Sequence, residues 1–115
     1  MRQLAEQHYD EGIDALAADN FMTAIGSFRE AIKLDPTFLD ARHGLIRALQ
    51  DAGQFDEAIA AAQQLAADDP NDILAHTRLS ILYQHKGMIA EAEAESARAK
   101  ILGWKAELSQ SKPKP

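Results

Sequence analysis

Apolar residues recur along this chain at steps of three and four, the spacing that lines one face of an α-helix. The clearest run is Phe21, Ala24, Ile25, Phe28, Ala31 and Ile32. It closes in EAIKLDP, residues 30–36, where Lys33 suits the carbonyl end of a helix and Pro36 stops it. The ending returns: Asp35-Pro36 is echoed by Asp69-Pro70, and 70 − 36 = 34. A fixed period of this size signals a repeat architecture.

Sliding the sequence by that period aligns three repeats, residues 5–38, 39–72 and 73–106. Each holds two helical patterns with a short break between them: Asp19-Asn20, then Ala52-Gly53-Gln54, then Lys86-Gly87-Met88. Glycine and asparagine tolerate the left-handed backbone that ends a helix, so the breaks are chemically equivalent stops. Each is followed by Phe21, Phe55 or Ile89, and three residues later by Ala24, Ala58 or Ala92, where a small side chain lets two helices approach. The pattern predicts six helices, over 2–18, 21–34, 38–52, 55–67, 72–86 and 89–102. Thr37 and Asn71 are the expected N-caps of the third and fifth. Short breaks make successive helices antiparallel neighbours, and stacked pairs curve into a superhelix with a concave side. One domain is expected over 1–108, with the polar, proline-containing tail 109–115, SQSKPKP, disordered.

Composition narrows the function. A chain of 115 residues suits a single domain. Few residues are aromatic or β-branched and alanine is abundant, which favours close-packed helices over strands. With no cysteine, disulfides and thiolate metal sites are excluded. The N-terminal MRQLAEQHYDEG lacks an apolar leader and no stretch is apolar enough to span a bilayer, so a cytoplasmic location is expected. The net charge of −6 repels phosphate backbones and anionic membranes, which leaves protein or peptide as the partner class.

The repeats resemble the tetratricopeptide repeat family, whose pattern is W-x-x-L-G-x-x-Y, then A-x-x-x-F, then A, then P. The first repeat offers His8, Glu11, Gly12 and Ala15, then Ala24, Phe28, Ala31 and Pro36. The second offers Arg42, Leu45, Ile46 and Leu49, then Ala58, Ala62, Leu65 and Pro70. The third offers His76, Leu79, Ser80 and Tyr83, then Ala92, Ser96, Ala99 and Trp104. The resemblance covers residues 5–106. It implies an all-α, right-handed superhelical α-solenoid of three antiparallel helix pairs, with the first helix of each pair lining the concave side.

The last helix departs from the pattern. Ile25 and Ile59 become Glu93, Phe28 and Ala62 become Ser96, and Ile32 and Ala66 become Lys100. Buried unpaired ions would be costly, so no fourth repeat is expected to dock there, and EAEAESARAK reads as a solvated cap. Trp104 stands where the other repeats have proline. The expected reading is that WKAEL folds back over the last helix pair. The alternative is a dimer contact through Ile101, Leu102, Trp104 and Leu108, an exposed tryptophan being a typical interface anchor.

No catalytic motif is present: no H-E-x-x-H, no G-x-S-x-G and no phosphate-cradling glycine loop. No enzyme activity, cofactor or metal is expected. His8 and His76 share a slot that is semi-buried in the family, and packing accounts for both. His43 and His85 lie on first helices, and two histidines alone rarely hold a metal. Among the residues left over once the packing stripes are assigned are Tyr9, Ile13, His43, Arg47, Leu74, Arg78, Ile81 and His85, on the helices that the resemblance puts along the concave face. An apolar strip with Arg47 and Arg78 near its middle suits an extended peptide or partner helix carrying an acidic group. Pairing of these arginines with Asp40, Asp10 or Asp51 across neighbouring helices is the structural alternative. The family's carboxylate clamp for heat-shock chaperones maps to Tyr9, Ile13, Gly44, Leu74 and Arg78, of which Arg78 alone fits, so that clamp is mostly absent. The expected function is a protein–protein adaptor, monomeric or homodimeric. Its alternative is a structural module that self-associates through a terminal helix edge.

Overall fold

The break between paired helices is built the same way three times. In the computed structural model, which describes residues 2–111, Asp19, Gly53 and Gly87 adopt left-handed backbone with φ of 58°, 78° and 74°. The next amide in each case reaches back five residues: Asn20 to Ala15, Gln54 to Leu49 and Met88 to Tyr83, at 2.8, 2.9 and 2.8 Å. This is the Schellman stop, which satisfies the last carbonyls of a helix and turns the chain at once. The carbonyls of Asn20, Gln54 and Met88 then accept the first amide bond of the following helix, from Ala24, Ala58 and Ala92.

The connection between repeats is also copied. Asp35 and Asp69 accept the backbone N–H of Thr37 and Asn71 at 3.1 and 3.3 Å, an Asx turn around Pro36 and Pro70. The Thr37 hydroxyl donates to the same Asp35 oxygen at 2.6 Å, so it caps no helix. The expected caps Thr37 and Asn71 are therefore corrected. Asp72 caps the fifth helix by accepting from the Ala75 amide at 3.1 Å, and Phe38 stands at the third without a side-chain cap bond.

Among the described residues there are six helices and no strand: α1 Arg2–Ala17, α2 Phe21–Leu34, α3 Leu39–Asp51, α4 Phe55–Asp68, α5 Ile73–His85 and α6 Ile89–Ser111. Five match the expected spans to within a residue or so at each end. The sixth does not stop near 102. Trp104, unlike the prolines of the other repeats, keeps its amide, and α6 continues through 109–111, which were expected in a disordered tail. Residues 112–115 lie outside the described part. WKAEL accordingly does not fold back: it is helix, with Trp104 and Leu108 in solvent.

The chain divides into two compact units, residues 1–61 and 62–115, with α4 running through the division. In the first, α1 packs on α2, α2 on α3, and α1 touches α3. Phe28 is fully buried at its centre. Tyr9, Ile32 and Leu34 pack on the buried cluster Ala5, Ala31, Phe38 and Ala41. In the second unit α5 packs on α6 through buried Ala75, Leu79, Leu82, Tyr83 and Ala92. Gln63 of α4 donates to the Tyr83 hydroxyl at 2.9 Å, and Ser80 donates to the Ala92 carbonyl at 2.8 Å.

Candidate functional site

The expected groove residues divide between the units. In the first, α1 carries Tyr9 and Ile13, and α3 carries His43 and Arg47. Tyr9 is half-buried, its ring 5.1 Å from Phe38 and 5.8 Å from Phe28. Expected outside the core, it is a core-edge residue, because Phe38 supplies an aromatic wall that the helical stripes did not assign. Burial, and then the charges of Asp40 and Asp10, raise the Tyr9 pKa above the usual phenol value. Ile13 stays 39% exposed. Arg47 is exposed and bonds Asp51 one turn on, Nε to Oδ2 at 2.9 Å; the pair lies within α3, whereas the expected pairing crossed to a neighbouring helix. An exposed pair of this kind is worth little.

Gly44, next to His43 and aligned with the clamp positions, serves packing instead. A Cβ built on Gly44 would meet the Phe28 ring at 2.7 Å, and one on Gly12 would meet the same ring at 2.6 Å. Two glycines on two helices thus make the slot for one phenylalanine. The family pattern pointed to Gly12, but nothing in the stripe reading pointed to Gly44.

In the second unit α5 carries Leu74, Arg78, Ile81 and His85. They follow at steps of four, three and four, so they share one face. The opposite side holds the buried residues of α5: Ala75, His76, Leu79, Ser80, Leu82 and Tyr83. Leu74 is 44% exposed, Arg78 and Ile81 are half-buried, and His85 is exposed in the last turn. Leu74 and Ile81 thus add apolar surface to a helix whose buried residues lie on the other side.

His76 is the most buried histidine and its role is internal. Its Nε2 lies 2.9 Å from the Pro70 carbonyl and its Nδ1 lies 2.7 Å from Glu95. Both partners are acceptors, an arrangement that favours the imidazolium, whose two ring nitrogens both donate. Burial would lower its pKa, but the bonds to Glu95 and Pro70 outweigh it and the value is raised. Arg98 bonds the other Glu95 oxygen. Glu95 was expected in a solvated cap. It is buried instead, held by His76 across the helix pair and by Arg98 three residues on in α6. Among the described residues, no group of three His, Cys, Asp or Glu is placed to hold a metal, and no helix is long and apolar enough to cross a membrane.

Six helices, three equivalent stops and two equivalent Asx turns at one period define an all-α helical-repeat protein of the interaction-module class. The tetratricopeptide repeat pattern matches residues 15–77 and 50–100, so the chain belongs to the tetratricopeptide repeat family, whose members are typically non-enzymatic protein-interaction modules. No curated protein matches the sequence significantly. Among solved structures, MamA is 27% identical with a TM-score of 0.84, over 90% of this chain and 60% of that one. The chain therefore spans about three-fifths of MamA's length. The type III secretion translocator chaperone SycD of Yersinia enterocolitica is 26% identical with a TM-score of 0.81, over 85% of this chain and 73% of that one. The TPR2B domain of yeast Sti1, solved in a complex with pHsp70, shares the fold at a TM-score of 0.85, with 23% identity over 95% of this chain and 87% of that one.

Proposed function

We propose that this chain is a non-enzymatic adaptor that holds a peptide or partner helix on the outward face of α5, with an acidic group of the ligand meeting Arg78. The observation that carries the reading is the second apolar face of α5. Leu74 and Ile81 keep solvent contact although the opposite face already supplies the core. An apolar face beside a guanidinium suits an amphipathic segment bearing a carboxylate. Preformed helices lose little ordering entropy on binding. The family resemblance gives Tyr9, Ile13, His43 and Arg47 of the first unit the same role, Tyr9 through whatever part of its ring the core leaves open. SycD, a translocator chaperone by its own description, supports a protein ligand for this fold.

The test is a pull-down from the source cell's extract with three baits: wild type, Leu74→Glu, and Arg47→Glu with Arg78→Glu. Circular dichroism confirms that all are folded. A partner retained by wild type and lost, or weakened at least about tenfold, by both variants is the expected result. Equal capture by all three baits would move the site off these faces.

A further inference from the structure

The core of the second unit uses one side of α6. Ala92 and Glu95 are buried there, and Ala99, Leu102 and Gly103 are half-buried. On the opposite side Ala97, Ile101, Trp104 and Leu108 follow at steps of four, three and four, and all are exposed, Trp104 at 63% and Ile101 at 47%. This is the a/d alternation of paired helices. Three large apolar side chains on successive turns form a patch that folding alone does not explain. We propose that this stripe is the contact surface for a second copy of the chain, the two α6 helices packing antiparallel about a two-fold axis between residues 102 and 103.

Size and charge select this occupant and this orientation. About that axis Ile101 of one copy meets Trp104 of the other, and the small Ala97 meets the large Leu108. Each contact is made twice, as an isologous interface requires. Exposed Lys100 and Glu107 flank the stripe on one side, and the antiparallel arrangement brings Lys100 of each copy beside Glu107 of the other. A parallel arrangement would instead bring Lys100 beside Lys105. On the second flank Arg98 and Lys105 approach each other, but the Arg98 charge is already met by Glu95. Ile101 also edges a depression of about 320 Å³ lined by Pro70, His76, Arg98 and Leu102, which gives an indole laid over it an apolar wall.

The interface spans only about three helical turns, so the dimer is weak and its formation depends on concentration. Sedimentation equilibrium of the full chain from about 1 to about 300 μM covers the range of such contacts. The expected wild-type mass rises from 12.6 kDa toward twice that value. Trp104→Ser should weaken association at least about tenfold. Lys100→Glu and Glu107→Lys should each weaken it, and the two together should restore it. These positions are exposed, so the variants keep the fold, and circular dichroism checks this. A wild type that stays monomeric, or a Trp104→Ser protein that associates as wild type does, overturns the proposal. A double charge swap no tighter than either single swap overturns the antiparallel register. None of these outcomes bears on α5, whose reading stands or falls on the pull-down.

Discussion

At the scale of single residues, the three helix stops differ in one atom group. Gly53 and Gly87 hold positive φ without a Cβ, whereas Asp19 holds it with one. Asp19 also places a carboxylate at the carbonyl end of α1, where negative charge is disfavoured. Asp19→Gly is therefore expected to stabilise the protein by about 1 kcal/mol, and Gly53→Ala or Gly87→Ala to destabilise it by a similar amount, as read by urea unfolding. A Cβ at Gly53 or Gly87 would touch nothing, so backbone strain alone sets that loss. The period points to this position, since 53 − 34 = 19, whereas the tolerance of asparagine for left-handed backbone points one residue further, to Asn20. His76 is a second case. Its folded pKa lies above the ordinary 6.5, so its bonds to Glu95 and Pro70 add stability that is complete below 6.5 and is lost as pH rises through the folded value. Wild type should lose stability over that window, while His76→Gln, weaker at low pH, should show a flatter profile. Thermal melts at pH 5.5, 7 and 8.5 check this, and parallel profiles for the two proteins would sink it.

At the scale of helices, the packing of α2 against α1 and α3 turns on Phe28 in its two-glycine slot. Alanine is the better helix former by about 1 kcal/mol, so propensity alone makes Gly44→Ala and Gly12→Ala stabilising. The slot predicts the reverse. A methyl 2.6–2.7 Å from a fully buried ring forces the helices apart, and overpacking of this kind costs about 1–3 kcal/mol. Gly26, exposed on α2 with nothing near its Cβ, is the control: Gly26→Ala should stabilise, in the same denaturant assay. The existence and limits of five helices were legible because at each the apolar period agrees with a break or a proline at its end. The end of α6 was not, because its cue was the absence of proline in a polar segment that looks like a tail. Nor was the burial of Glu95. Its partner His76 reaches it only when α5 and α6 pack, whereas Arg98 stands three residues on in the same helix, and its local sequence, EAEAES, is that of a solvated helix.

At the scale of the molecule, the question is whether one chain can bind a ligand and a second copy at once. In the second unit the two surfaces lie on different helices. Leu74, Arg78 and Ile81 stand on the side of α5 away from its buried residues, and Ile101 and Trp104 stand on the side of α6 away from its own. The buried faces of that pair meet each other, so the stripes have no side chain in common. Leu74, Arg78 and Ile81 stand out in the sequence as what remains when the core stripe of α5 is subtracted, and Ile101 and Trp104 through the proline missing at 104. Leu102, expected beside them, is half-buried on the core side of α6. The sequence does not separate a contact surface from a folded-back tail, since that depends on whether α6 continues past Trp104. Perturbations at sites with no common partner add to within a few tenths of a kcal/mol. Trp104→Ser should therefore leave capture by the α5 face within about twofold of wild type at chain concentrations below the dimer midpoint, and Leu74→Glu should leave the sedimentation midpoint within the same factor. The Leu74→Glu, Trp104→Ser double variant should lose both properties and keep its helicity. If Trp104→Ser alone abolished ligand capture, the ligand would be bound by the dimer rather than by one chain, and the two faces would have to be treated as a single site.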